Sequence, residues 1–471
     1  MKGRFFIFCL VVFFTTCISK SNKSQQGTIA TKALQKDLAI LKKTFEEAHP
    51  GLYWYSTQAA IDSIFDHAKA SIRDDMTQLD FFKMLLPLVA GINCSHTNIR
   101  LPRNENNSVA LPFTNLLPVE LYLVNGKGYI RRRFSGNGFE GAEVLSINGV
   151  SLPDILSKLM SAIPADGYNQ AYKYQALNRG VMVEAYALHF GDTAVYTMEI
   201  KDSSGSLQTI RLDAASPKQI SASIQPPLPI FSVQYKDSIC ILSINTFVLN
   251  TAAFTDSVST IFQELQAKKI RQLIIDLRQN GGGNNENVST LFSFIARSSF
   301  RHLRQAEMLG KTLTYSSYIS NATGIDRYPR THPNGDRYLV NESYSGTRLS
   351  NPRDSFHFAG DVVLLTSGST VSAASEFVAV FHDQQRGKIV GEETGGCYYG
   401  STGGNYLQLK LPNSGLEIRI PTIRIFTAVE EDYVKQPKGH GTLPDYIITP
   451  TVEDILAGKD VQLEKAMELL R

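Results

Sequence analysis

Leu364-Leu365-Thr366-Ser367-Gly368-Ser369-Thr370-Val371-Ser372-Ala373-Ala374-Ser375-Glu376-Phe377 is the stretch on which the reading of this 471-residue chain turns. Val362 to Leu365 is a short apolar, β-branched run of the kind that forms a buried strand. Gly368 and its polar neighbours break that strand. From Ser372 onward Ala373, Phe377, Ala379 and Phe381 are spaced for the buried face of a helix. Ser372 therefore falls at a strand-to-helix junction, where first-turn N–H groups lack intrahelical partners. A serine there can attack a carbonyl while those amides hold the oxyanion. It can equally be a simple N-cap, a role serine fills well. The stretch alone leaves both uses open.

Outward from this point the C-terminal half reads as one α/β unit. Ile239 to Ile244 and Gln272 to Arg278 have strand character, and Thr255 to Ala267 has helical spacing between them. Gln279-Asn280-Gly281-Gly282-Gly283 ends the second strand, and a helix begins near Asn285. In such folds sites gather at the carboxyl ends of strands. Three glycines let backbone approach a ligand and expose N–H groups, but no Gly-Lys-Ser/Thr follows, which disfavours a phosphate loop. Residues 300–357, polar and rich in Tyr, Asn and Arg, read as an insertion in this unit, which spans 231–471.

The N-terminal half divides further. In residues 30–105, Leu34, Leu38, Leu41 and Phe45 form one helical stripe, and two more helices follow, giving a helical cap. It ends in Gly91-Ile92-Asn93-Cys94-Ser95-His96-Thr97, where a histidine follows a serine at a turn. That histidine can accept a serine's proton, or be bonded locally at a helix end. Residues 110–165 carry strands, an Asn148-Gly149 hairpin turn and a short helix, a pattern similar to a PDZ module that takes up extended peptide by strand addition. Residues 166–230 are a connecting segment with two strands, closed by Pro226, Pro227 and Pro229.

Lys2 and Arg4, the apolar run Phe5 to Phe14, and Thr15-Thr16-Cys17 read as a signal peptide over residues 1–17, followed by a tether over 18–29. Phe14-Thr15-Thr16-Cys17 resembles a loose lipobox, with Cys17 as the lipidated residue; an ordinary secretory signal is the other reading. The expected location is exported, in the periplasm or on the outer membrane, with membrane contact through that anchor only. A net charge of +3 gives no case for nucleic acid. Five cysteines, two of them in the signal region, imply no disulfide framework. None has metal-ligand spacing, so no metal site is expected.

Taken together in order, Ser95-His96, Asp276-Leu277-Arg278-Gln279-Asn280-Gly281-Gly282-Gly283, Thr370-Val371-Ser372-Ala373-Ala374, Gly391-Glu392-Glu393-Thr394-Gly395-Gly396 and Pro444-Asp445 resemble the tail-specific, or C-terminal processing, serine protease family. The nearer likeness is to its tricorn-core and interphotoreceptor retinoid-binding branch. The resemblance implies a multidomain α/β fold: helical N-terminal cap, PDZ-like β-rich domain, and an α/β protease core of the ClpP/crotonase type. It implies a serine endopeptidase that cleaves peptides or protein tails through an acyl-enzyme and needs no cofactor. Where one branch of the family places a lysine base, this chain has Cys397. The tricorn-like arrangement implies Ser372 as nucleophile, His96 as base, Ser95 as its partner, and Gly282 and Ala373 amides as the oxyanion hole. A supporting glutamate is expected before the Gly-x-x-Pro-Asp segment, at Glu430, with Glu431 beside it; both also suit a solvated surface. The alternative function is a non-catalytic ligand- or peptide-binding envelope protein on the same scaffold.

Overall fold

The computed structural model describes residues 27–103, 112–310, 312–322, 331–340 and 344–471. The signal region, Cys17 and most of the tether lie outside the described residues.

The core is a six-stranded sheet. Its order is Tyr446–Ile447, Lys388–Gly391, Asp361–Thr366, Gln272–Asp276, Ile239–Ile244 and Phe231–Lys236. All neighbours are parallel except the last pair, an antiparallel hairpin at the edge. Continuous apolar runs form these strands because both faces are covered. Leu242, Leu273, Ile275 and Leu364 pack toward the helices Thr251–Ala267, Asn285–Ser293 and Ala373–Asp383. Ile241, Ile274, Val363 and Leu365 face the opposite way, against Ala466, Met467 and Leu470 of the C-terminal segment. Arg278 locks that segment in place: its guanidinium bonds Asp276 at 2.7 Å and both carboxylate oxygens of Asp460 at 2.7 and 2.8 Å.

A second, antiparallel sheet includes Asn98–Arg100, Gly400–Lys410, Glu417–Thr427, Leu303–Leu309, Arg337–Leu339 and Thr331–Asn334. The helices Thr31–Ala48, Gln58–Ala70 and Gln78–Ala90 pack on it and share one apolar core with it. The N-terminal helices are thus not a free-standing unit. The 300–357 segment, expected as an insertion, supplies a strand with four buried residues at its end, Ala306 to Leu309. One of its two partner strands, Glu417–Thr427, lies more than a hundred residues on, so its short sequence carries no local sign of burial.

The third sheet runs Val119–Val124, Lys127–Arg133, Glu143–Ile147, Val195–Lys201, Leu207–Asp213. Leu152–Met160 and Met182–Phe190 pack on it. Asn148 and Gly149 both have positive φ, 49° and 77°, as a two-residue hairpin with matching strand twist requires. The strands of the connecting segment complete this sheet, so the unit continues well past residue 165. No helix among the described residues is long and apolar enough to cross a membrane.

Candidate active site

The strand Asp361–Thr366 and the helix Ala373–Asp383 are joined by a turn stapled onto the neighbouring glycine loop. Thr370 Oγ1 donates to the Leu277 carbonyl at 2.8 Å, and Ser367 Oγ to the Arg278 carbonyl at 2.6 Å. The Val371 amide donates to the Asn280 carbonyl at 3.2 Å. Two motifs some ninety positions apart are thereby held as one surface. Gly282, at φ +94°, sits against this turn: a Cβ there would lie 2.7 Å from Ser372 Cβ and 3.1 Å from the Ala373 nitrogen. No residue with a side chain fits.

Ser372 holds φ 55° and ψ −133°, a conformation costly for any residue with a Cβ. It occupies the N-cap position, yet its side chain makes no cap bond. Its Oγ instead lies 3.2 Å from His96 Nε2, bridging 276 positions of sequence. The strained backbone turns the hydroxyl away from its own helix and toward the imidazole. The N-cap use of Ser372 is therefore excluded by its geometry.

His96 Nδ1 lies 3.2 Å from Ser95 Oγ. The imidazole stacks on Tyr406, with ring centroids 6.2 Å apart, and the Arg419 guanidinium lies over the Tyr406 ring, 3.5 Å from its centroid. Desolvation, with Arg419 adding, pushes the His96 pKa down to about 3. The ring is thus neutral at physiological pH, the form that can accept a proton.

The carboxylate next to this pair is one the sequence reading did not select. Asp166 is fully buried, and its Oδ1 accepts the Ser95 amide at 2.8 Å. Burial raises its pKa to about 6, against the lowering pull of the Ser95 amide and hydroxyl. Its other oxygen, Oδ2, has no hydrogen-bond partner. Asp166 is fixed from both sides: Gly167 N–H bonds the Asn93 carbonyl at 3.0 Å, and Asn169 Nδ2 bonds the Thr394 carbonyl at 2.6 Å. Pro164-Ala165-Asp166-Gly167 reads locally as a turn and nothing more, so no short-range signal marks it.

Glu430 is a correction. It is exposed, and its amide bonds Asp383 Oδ1 at 2.8 Å. Asp383 ends the helix that Ser372 begins, 11 residues later, which is about 16 Å of helix. Glu431 pairs with Arg304 and accepts the Tyr433 hydroxyl at 2.7 Å, again on the surface. Proximity in sequence to the Pro-Asp segment does not carry either residue to Ser95. The oxyanion pair also changes. The Gly282 amide is already engaged, donating to Asn280 Oδ1 at 2.9 Å in a side-chain turn. The Ala373 amide, first in its helix, has no protein acceptor among the described residues. Cys397 is buried, and burial holds its thiol well above the usual range. Glu376, one turn into the helix, is also buried, with Oε2 unpartnered and its pKa raised to about 7 by desolvation and then by Asp166.

A strained serine at a helix N-terminus, with a neutral imidazole at hydrogen-bond distance, is the arrangement that serine-type hydrolysis requires. Residues 238–448 match Peptidase family S41. The matched region carries that family's peptidase domain, and the protein is a serine-type peptidase with peptides or proteins as its substrate class. Among solved structures, mature CPAF is similar over 93% of this chain and 96% of its own, at 15% identity and a TM-score of 0.62. A CPAF mutant gives 93%, 97%, 15% and 0.66. These likenesses show a shared multidomain α/β fold. No curated protein matches the sequence.

Proposed function

We propose that this protein is an endopeptidase acting through an acyl-enzyme, with Ser372 as nucleophile, His96 as general base, Ser95 as relay and Asp166 as the supporting carboxylate. The observation that carries the reading is the 3.2 Å approach of His96 Nε2 to an uncapped, strained Ser372. His96 carries its proton on Nδ1 and donates it to Ser95 Oγ; the Ser95 hydroxyl faces Asp166. Nε2 is then free to take the Ser372 proton as Oγ attacks the peptide carbonyl. The oxyanion is held by the Ala373 amide and the helix N-terminus. Collapse breaks the C–N bond, and the leaving amine takes its proton from Nε2. Water then attacks the acyl-Ser372 ester with His96 again as base, releasing the acid and restoring the serine.

The third sheet and its helices supply the strand-and-helix surface on which an extended peptide or protein tail is held before cleavage. The signal-like N-terminus and Cys17 support export, with lipidation as the only membrane contact; intact-mass analysis of the mature protein tests this. The binding-scaffold alternative requires none of the strain at Ser372.

A fluorophosphonate probe tests the assignment directly. The expected result is one adduct on Ser372, absent in Ser372→Ala and much slower in His96→Ala. Folded wild-type protein that forms no adduct would move the assignment to the binding scaffold.

A further inference from the structure

Cys94, His96 and Asp166 form a cluster that the peptidase reading only partly uses. One donor atom from each, sulfur, nitrogen and oxygen, lies within 4.8 Å of the others. Cys94 is a free, buried thiol, 2.7 Å from Thr402 Oγ1, with no part in the proton relay. Asp166 Oδ2 is buried without a partner. A buried carboxylate oxygen left unsatisfied is costly and attracts a cation or a donor. Sequence spacing did not reveal the set, because Asp166 reaches it from a segment 71 positions beyond Ser95.

We propose that Cys94, His96 and Asp166 bind a divalent cation of the zinc class and that this binding switches the peptidase off. Thiolate, imidazole and carboxylate are the donor types zinc takes. Ligands at zinc bond lengths stand about 3.5 Å from one another, so the donors must draw together by about 1 Å at most when the ion binds. A fourth position remains for water or a hydroxyl. Binding expels the Cys94 thiol proton to solvent and takes a lone pair of His96. If the metal takes Nδ1, the ring proton moves to Nε2 and no lone pair faces Ser372. If it takes Nε2, the base itself is occupied. Both arrangements stop proton transfer, so the ion is an inhibitor and not a cofactor. Of the three residues only His96 is partly exposed, so the ion enters from its side.

The inference about inhibition rests on the peptidase reading, but the site can be tested without it. Co²⁺ added to Ser372→Ala protein should bind one equivalent and give a thiolate-to-cobalt charge-transfer absorption. Zn²⁺ should abolish the absorption, Cys94→Ala in that background should lack it, and Cys397→Ala should keep it. In active protein, Zn²⁺ should slow fluorophosphonate labelling and a chelator should restore it. Cys94→Ala should label at the wild-type rate without metal. Loss of a direct ligand should weaken inhibition at least as much as loss of an outer partner does, about 100-fold in zinc concentration. No cobalt–thiolate absorption, an absorption that survives Cys94→Ala, or equal inhibition of Cys94→Ala would overturn the site. Absorption in Ser372→Ala protein, with no labelling of any active-serine form, would support the metal site while removing the peptidase reading.

Discussion

Replacing Glu376 by Gln isolates a destabilising charge next to the nucleophile. The side chain is 3% exposed, and its Oε2 has no partner. Desolvation, then the Asp166 charge, raises its pKa from 4.5 to about 7. The first-turn position favours the anion through the helix dipole, but by about 2 kcal/mol at most, and the raised pKa shows that burial prevails. A carboxyl with a raised folded-state pKa stabilises the fold at low pH. That stability is fully present below 4.5 and is lost as pH rises through about 7. A rise of this size corresponds to about 3 kcal/mol. Gln has nearly the same shape and cannot ionise. The stability of Glu376→Gln relative to wild type should therefore increase by about 3 kcal/mol between pH 4.5 and pH 8. Urea titrations of both proteins at the two pH values, followed by far-UV circular dichroism, read this difference. The comparison at pH 4.5 removes the intrinsic difference between acid and amide. A stability difference that stays constant within about 0.5 kcal/mol across the two pH values would show that Glu376 is not held in a dry site, and the argument would fail.

Asp166→Asn should keep the bond to the Ser95 amide but donate to the Ser95 hydroxyl, reversing the relay and placing the His96 proton on Nε2. Turnover should fall by about 10² to 10⁴ with KM little changed, and a folded variant with wild-type turnover would remove Asp166 from the relay. Gly282→Ala places a Cβ against Ser372 and the Ala373 amide at a positive φ. Labelling of Ser372 should slow by about 10²-fold or more, and quantitative mass spectrometry of the adduct measures it. Arg278→Ala leaves Asp276 and Asp460 without their shared partner. With both pairs partly exposed, the loss should be about 2 to 3 kcal/mol, read by denaturation, with faster hydrogen exchange in Val461–Glu468.

Sequence by itself determined the parts whose cause is local. The apolar runs of the parallel strands, the three N-terminal helices, the Asn148-Gly149 turn and the serine junction are all set by neighbours a few residues apart. Ser95, His96 and Ser372 could be singled out in the sequence because their motifs sit at breaks between elements, where a chain turns and side chains from different elements converge. Tertiary structure alone decided what those side chains meet. The imidazole meets Ser372 through tertiary packing: Asn98–Arg100, just after His96, pairs with Glu417–Thr427 and ties the N-terminal helices to the antiparallel sheet. Asp166 is a turn residue in sequence and becomes a buried carboxylate because the segment carrying it is pinned between the Asn93 and Thr394 carbonyls. Glu430 had the residue type and the position in the chain, but an 11-residue helix separates its anchor from the serine. Chain connectivity limits how far apart two residues can lie; which buried carboxylate stands behind a histidine depends on packing between segments that the sequence keeps apart.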